Sequence, residues 1–457
     1  MKKKERFFTL KDLYIYNNDF LQAYPIVFGT THSIVSSLNM NNALFDYIII
    51  DESSQVDILT GVLALSIAKN AVIVGDKKQL SCIIDANIIK KVETLNKEFG
   101  IEEAYNYLTH SLLDSITEVL SEVPRVLLKE HYRCHPKIIG FCNKQFYNNE
   151  LLIFSEENNR KDIIKVILAS EGNHARGHYS LREIEIITEE IIPTLHQKAS
   201  SKDIGIITPY REQKEKLEEY LGQDNDIQVD TVHKYQGREK ECIIISLVDN
   251  QLSSFVDDPK MLNVSITRAK NFLYLVANKK ILNTQGNVAD FIRYIQYNNF
   301  EITQSNINSI FDLLYKANEE ARESYLKNKK KISSYDSENL VYHAILEVLT
   351  DYPNLKVATH VRLGLLIKDT SSLNEQEQSY LNSALTHVDF VIYHAMNKEF
   401  LLAIEVDGYT FHNKDHKQYQ RDIIKNNIFE KCKKTLLRLH TIGSNEKEQI
   451  RNELDKQ

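Results

Sequence analysis

The sequence lacks the patterns that would tie it to a membrane, an oxidising compartment or a zinc centre. Its five cysteines, Cys82, Cys134, Cys142, Cys242 and Cys432, form no CxxC pair and no zinc-ligand spacing, which favours free thiols in a reducing compartment. The basic start Met1-Lys2-Lys3-Lys4 runs into charges and asparagines that interrupt any signal-peptide core. Apolar runs such as Tyr47–Ile50 and Ile243–Ile245 are strand-sized, far short of the ~20 residues that span a bilayer. Internal repeats and low-complexity tracts are absent. So is an excess of positive charge: 56 Lys and Arg against 63 Asp and Glu leave a net charge of −7, so nucleic acid would be held by local basic grooves. These absences point to a cytoplasmic protein with no membrane partner. A last absence is more specific. No GxxxxGK[ST] occurs, the Walker A loop whose backbone N–H groups and lysine cradle nucleotide phosphates, and before residue 51 the one glycine is Gly29.

What is present is a chain of 457 residues, 42% hydrophobic, with room for two or three cores. Short apolar runs ending in polar residues (YPIVFGTT, FDYIIIDESSQ, NAVIVGDKKQL, DIGIITPYR, ECIIISLVDN, NFLYLVAN) alternate with helix-like stretches, the pattern of a parallel sheet covered on both faces. Function in such folds gathers where strands end. Residues 287–335 read as a polar helical linker without a strand signal. Residues 336–457 change order: a helix, extended runs, another helix and a last strand.

Phe45–Ile50 reads as a buried strand delivering Asp51 and Glu52 at its end. Nucleotide hydrolysis needs such a pair, one carboxylate for Mg²⁺ and the next to polarise water. A second strand follows and ends in Gly75-Asp76-Lys77-Lys78-Gln79, whose Gln79 amide can hydrogen-bond a γ-phosphate. Further on stand Glu130-His131-Tyr132-Arg133-Cys134-His135-Pro136, Thr208-Pro209-Tyr210-Arg211, Asp230-Thr231-Val232-His233-Lys234-Tyr235-Gln236-Gly237-Arg238-Glu239 and Asn263-Val264-Ser265-Ile266-Thr267-Arg268. Taken singly, each has a bland reading as a turn or a surface ion pair. Taken in this order, they resemble motifs II to VI of superfamily 1B helicases of the nonsense-mediated-decay and replication type, over roughly residues 25–285.

The resemblance implies that Asp51 holds Mg²⁺, Glu52 is the general base, Gln79 with Gly75 and Asp76 senses the γ-phosphate, and Arg133 and Arg268 stabilise its charge. It also places Gln236, Gly237 and Glu239 against the nucleotide, with ATP as substrate. Thr30-Thr31-His32, Thr208-Pro209-Tyr210, Thr231 and His233 would track a nucleic-acid backbone, simple turn capping being the alternative for the Thr30 and Thr208 groups. The missing loop leaves three explanations open: a truncated or frameshifted product, a split motor whose front half is a separate chain, or a remnant that only binds. In the family the strand carrying that loop belongs beside the AVIVGD strand, so the first sheet is expected to be incomplete and the chain alone to turn over negligible ATP.

In EFLLAIEVDG, Glu405 and Asp407 are two apart on a strand and share a face, and Asp389 opens the strand before it. Converging carboxylates suit hard divalent cations, and two ions can stabilise both oxygens of a phosphodiester displacement. A solvated acidic hairpin is the alternative, disfavoured by the apolar residues of that strand. The region resembles the mismatch-repair-endonuclease-like branch of the PD-(D/E)xK nucleases. That implies Glu338 as auxiliary carboxylate and Asp389 and Glu405 as Mg²⁺ ligands, with Asp407 standing where a lysine is usual and Lys425 or Arg421 as candidates for the missing cation. His412 is a weaker candidate for activating water.

The expected architecture is α/β: RecA-like parallel sheets, one incomplete (1–125) and one complete (126–286), a helical linker (287–335) and a small restriction-endonuclease-like domain (336–457). The expected function is the rear portion of an ATP-dependent helicase with a fused Mg²⁺-dependent nuclease acting on DNA in repair or defence. The alternatives are a non-hydrolysing binding subunit and an ATP-independent nuclease.

Overall fold

Strand β1 (Phe45–Ile50) lies parallel to β2 (Ala68–Ile73), with Ile49 opposite Val72 and Ile50 opposite Ile73. The computed structural model describes residues 17–37, 44–157, 162–172, 174–222, 225–408 and 417–456. It divides into two compact units, Met1–Glu157 with Asp258–Arg268, and Asn158–Asp257 with Ala269–Gln457. Among the described residues no helix is long and apolar enough to cross a membrane.

In the first unit, β1 and β2 form a two-stranded sheet among the described residues. One face packs on Ile34, Ala64, Ile67 and Leu112. The other presents Tyr47, Ile49 and Val72, 65%, 70% and 46% exposed. Helix α1 (Ile58–Leu65) starts because Asp57 accepts a hydrogen bond from Thr60 N, and α2 (Leu112–Val119) because Ser111 and Asp114 close a capping box. Helix α3 (Pro136–Phe146) begins with the HYRCHP proline in its first turn.

The second unit is built on a parallel sheet of β3 (Ile164–Ala169), β4 (Ile204–Thr208), β5 (Gln228–Thr231), β6 (Lys240–Ser246), β7 (Ala269–Asn278) and β8 (Glu301–Gln304). Among the described residues the order is β8-β3-β7-β6-β4-β5. Its central strands carry Cys242–Ile245 and Phe272–Ala277 in full burial, as strands covered on both faces must.

Two boundaries differ from the sequence-based expectation. Residues 126–157, expected with the second motor domain, group with the first unit, because α3 packs on α5 (Pro259–Ile266) and Cys134 Sγ lies 3.4 Å from Thr267 O. The expected linker is not only helical. After a helix at Asn287–Tyr297 it adds β8 to the sheet edge, and a short turn of helix at Ile310–Leu314 sends Phe311 into the C-terminal core. The four residues of EITQ, with polar ends and half exposure, carry too short an alternation to read as a strand.

The C-terminal sheet runs β9 (Leu355–Arg362), β10 (His387–His394), β11 (Phe400–Asp407), β12 (Leu436–His440). The first two pairings are antiparallel and the last is parallel. Helices α7 (Asp336–Val348) and α9 (Glu446–Asp455) cover one face through Val341, Ile345, Ile450 and Leu454, and α8 (Lys417–Lys431) covers the other through Ile428 and Phe429. The domain is bonded to the same unit's parallel sheet region: buried Arg182 pairs with Asp312 at 3.1 Å, and Ser309 Oγ donates to Glu446 at 2.6 Å.

Candidate functional site

Asp51 and Glu52 emerge where β1 ends, and the backbone turns sharply there: Glu52 has φ +50° and its N–H donates to Asp51 Oδ1 at 2.8 Å. The turn places Ser53 against the end of β2, its N–H and hydroxyl both donating to Val74 O at 2.9 and 2.7 Å. Gly75 makes this contact feasible, because a Cβ there would lie 2.5 Å from Ser53 Oγ and 3.2 Å from Ser53 N. Beyond it, Gln79 Nε2 donates to Asp76 Oδ2 at 3.1 Å. The loop is tied to the helix of the last motif: Asn263 Nδ2 donates to Lys78 O (2.8 Å) and Lys260 Nζ to Ser81 Oγ (2.8 Å). Tyr147 bridges them, donating to Asp76 Oδ2 (2.6 Å) and accepting from Asn263 Nδ2 (2.9 Å). Burial and the Asp76 carboxylate push the Tyr147 phenol well above its usual range. Sequence reasoning quoted Asn263 in the last motif without a role for it and passed over Tyr147 and Lys260, since a lone tyrosine or lysine on a helix carries no spacing signal.

Arg268 is buried, its Nε donating to Val264 O and its Nη2 to Thr267 Oγ1, both at 3.1 Å, while Arg133 is exposed. Both charges act on His131, whose pKa falls to about 4, first through burial and then through Arg133 and Arg268. Its neutral ring accepts from Cys134 N at 2.9 Å. Thr30 closes a turn, its hydroxyl 2.9 Å from Ser33 Oγ and its carbonyl accepting from Ser33 N and Ile34 N; His32 is exposed and Thr31 half-buried.

In the second unit, Thr208 and Thr231 face each other at the C-terminal ends of β4 and β5. Thr208 Oγ1 is buried with no hydrogen-bond partner, and Pro209 leads to Tyr210, whose hydroxyl donates to Asp249 at 2.9 Å and whose ring lies 4.7 Å from that of His178. His233 sits in the short helix Val232–Tyr235. Gln236, Gly237 (φ +80°) and Glu239 follow it back to the opposite edge, where β6 starts and Glu239 pairs with Lys270 at 2.9 Å. The groups assigned to nucleic acid and those assigned to nucleotide in this unit therefore occupy opposite edges of one sheet.

In the C-terminal sheet the Asp389 charge acts on both Glu405 and Glu338, whereas Asp407, expected to join Asp389 and Glu405, is held by Arg438. Asp389 lies one step beyond the Phe390–Ile404 pair and accepts from Val406 N at 2.8 Å. Glu405 pairs through Oε2 with Lys425 Nζ at 2.8 Å, both side chains more than nine-tenths buried, and its Oε1 has no hydrogen-bond partner. Burial raises the Glu405 pKa to about 7, against the pull of Lys425. Glu338, at the start of α7, has its pKa raised by burial and by Asp389, and its Oε2 is likewise buried without a hydrogen-bond partner. Asp407 is the correction. Arg438 Nη1 donates to both its oxygens at 2.8 and 2.9 Å, so this carboxylate serves an internal ion pair. Of the two basic candidates, Lys425 reaches Glu405 while Arg421 is exposed, and His412 lies outside the described residues. Arg438 went unnoticed because its partner is set by the register of β12 on β11.

Residues 2–87 and 108–280 match two models described as AAA domains, and residues 330–457 match a protein family of unknown function, DUF2726. A protein from Methanocaldococcus jannaschii, described as an uncharacterized ATP-dependent helicase (MJ0104), is 30% identical over 56% of this chain and 39% of its own. The DNA polymerase alpha-associated DNA helicase A of Saccharomyces cerevisiae is 30% identical over 62% of this chain and 46% of its own. The motor segment is thus similar to helicases of superfamily 1. The DNA replication ATP-dependent helicase/nuclease dna2 of Schizosaccharomyces pombe is 25% identical over 70% of this chain and 25% of its own. The chain thus spans less than half the length of each of these three relatives. The solved PRRSV helicase aligns over 52% of this chain and 36% of its own with a TM-score of 0.29 and 15% identity, too weak a likeness to argue from.

Proposed function

We propose that the chain is the rear portion of an ATP-dependent superfamily 1 DNA helicase carrying a Mg²⁺-dependent nuclease domain. The observation that carries the nuclease half is Glu405: a carboxylate more than nine-tenths buried, ion-paired through one oxygen and left without a hydrogen bond on the other, beside Asp389. Such a group is costly unless a cation completes it, so these residues fit Mg²⁺. Asp389 and Glu405 would hold the ion, which supplies charge stabilisation at a phosphodiester. Lys425 provides the positive charge that Asp407 cannot, and it is anchored by donating to His387 O at 2.9 Å. DNA as substrate is supported by the two yeast relatives, named a DNA helicase and a DNA replication helicase/nuclease.

In the motor, Asp51 and Glu52 fit the metal-holding and proton-accepting roles because they stand open at a strand end, next to the Gln79 loop. The polypeptide bearing GxxxxGK[ST], whether upstream segment or separate chain, would cover the apolar face of β1 and β2. The test of the nuclease is cleavage of labelled single-stranded and duplex DNA by the full chain with Mg²⁺. Cutting is expected from the wild type and not from Glu405→Ala, and equal cutting by both would refute the assignment.

A further inference from the structure

Next to the carboxylates assigned to Mg²⁺ lie two histidines with no assigned role. His360, His387 and Asp389 each offer one ligand atom, and these atoms all fall within 4.8 Å of one another. The two rings are 5.6 Å apart at 70° to each other, too steep an angle for stacking. Ligands of one ion at ~2.1 Å each can stand about 4 Å apart, and two exposed imidazoles reach that spacing by small ring rotations.

Local structure favours ligation at each position. His360 interrupts β9 with φ +50°, between Thr359, paired with Phe390, and Val361, paired with Val388. A strand interior seldom holds a non-glycine residue there, and the departure turns this imidazole toward Asp389's end of β10. His387 Nδ1 lies 3.3 Å from Leu385 O, and donation to that carbonyl leaves the Nε2 lone pair for a cation. Glu338 Oε2, buried and without a hydrogen bond, is 3.8 Å from His360 Nε2. Beside Asp389 is the orphaned Oε1 of buried Glu405.

We infer that His360, His387 and Asp389, with Glu338 in reach, form a second cation site of mixed nitrogen and oxygen ligands, suited to a first-row transition metal such as Zn²⁺ or Co²⁺. Carboxylates alone suit Mg²⁺, whereas two imidazoles shift the preference toward borderline ions. The site rests on the nuclease reading only for what the ion does: beside the Asp389–Glu405 site it supplies a second charge at the phosphodiester.

The experiment is a Co²⁺ titration of the full chain followed by visible absorption. Wild type is expected to develop a d–d band that saturates. His387→Ala and His360→Asn are each expected to weaken Co²⁺ binding by roughly tenfold or more. Asparagine tolerates the left-handed backbone, so that second variant removes the imidazole without adding strain. Absence of a band in the wild type, or equal Co²⁺ binding by wild type and both variants, overturns the site. The nuclease reading fails separately: Co²⁺ bound through the histidines without Mg²⁺-dependent cutting sinks the nuclease and leaves the site, and cutting without histidine-dependent binding does the reverse.

Discussion

Gly75 and Arg438 are single residues whose importance lies in what they touch. At Gly75 an added methyl meets Ser53, which is fixed by two hydrogen bonds to Val74 O, so neither side can yield freely. Gly75→Ala is expected to destabilise the first unit by about 1–3 kcal/mol, read as a lower denaturant midpoint. The glycine was legible in the VGDKKQL motif; the reason for it was not, because the close approach is between residues 22 apart. Arg438 neutralises Asp407, which is 7% exposed. Arg438→Met leaves that carboxylate buried with only the His440 imidazole 3.7 Å away, at a cost of roughly 3–5 kcal/mol in unfolding free energy. An unchanged midpoint would show that Asp407 is free for another role.

At the scale of elements, the helix carrying Arg268 and the segment carrying Arg133 meet around His131. The pKa of His131 is lowered from 6.5 to about 4 by burial and the two arginines. Protonation is thus harder in the folded state than in the unfolded one. The stability contribution is full above about pH 6.5 and is lost as pH falls toward about 4. The unfolding temperature of the first unit should therefore drop between pH 7.5 and pH 5 more in the wild type than in His131→Gln; equal drops would mean that the acid sensitivity comes from elsewhere. The motif order made Arg133 and Arg268 findable, and their common neighbour follows only from the packing of α3 on α5. Strand β8 was missed for a related reason. A four-residue edge strand is specified by the partner β3 offers, not by its own alternation.

For the whole molecule, the two-stranded sheet with exposed Tyr47, Ile49 and Val72 has the carboxylates of Asp51 and Glu52 at its end, while no GxxxxGK[ST] occurs in the sequence. The purified chain is expected to hydrolyse ATP negligibly, and a polypeptide carrying GxxxxGK[ST] together with its strand is expected to restore turnover while burying those side chains. Helicase-level ATP turnover by the chain alone would overturn this. The sequence by itself determined the motif order and the alternation of strands and helices, because strand ends with acidic, glycine and arginine residues are local patterns. It also determined that the central strands of the second unit are buried, since long β-branched runs need cover on both faces, whereas β1, read as buried, leaves Tyr47 and Ile49 exposed. Only the tertiary structure decided that Asp407 belongs to Arg438, that Lys425 reaches Glu405 and that His360 and His387 meet at Asp389. Those pairings depend on strand register and on how a helix lies across a sheet, and contacts between positions far apart in the chain leave no periodic trace.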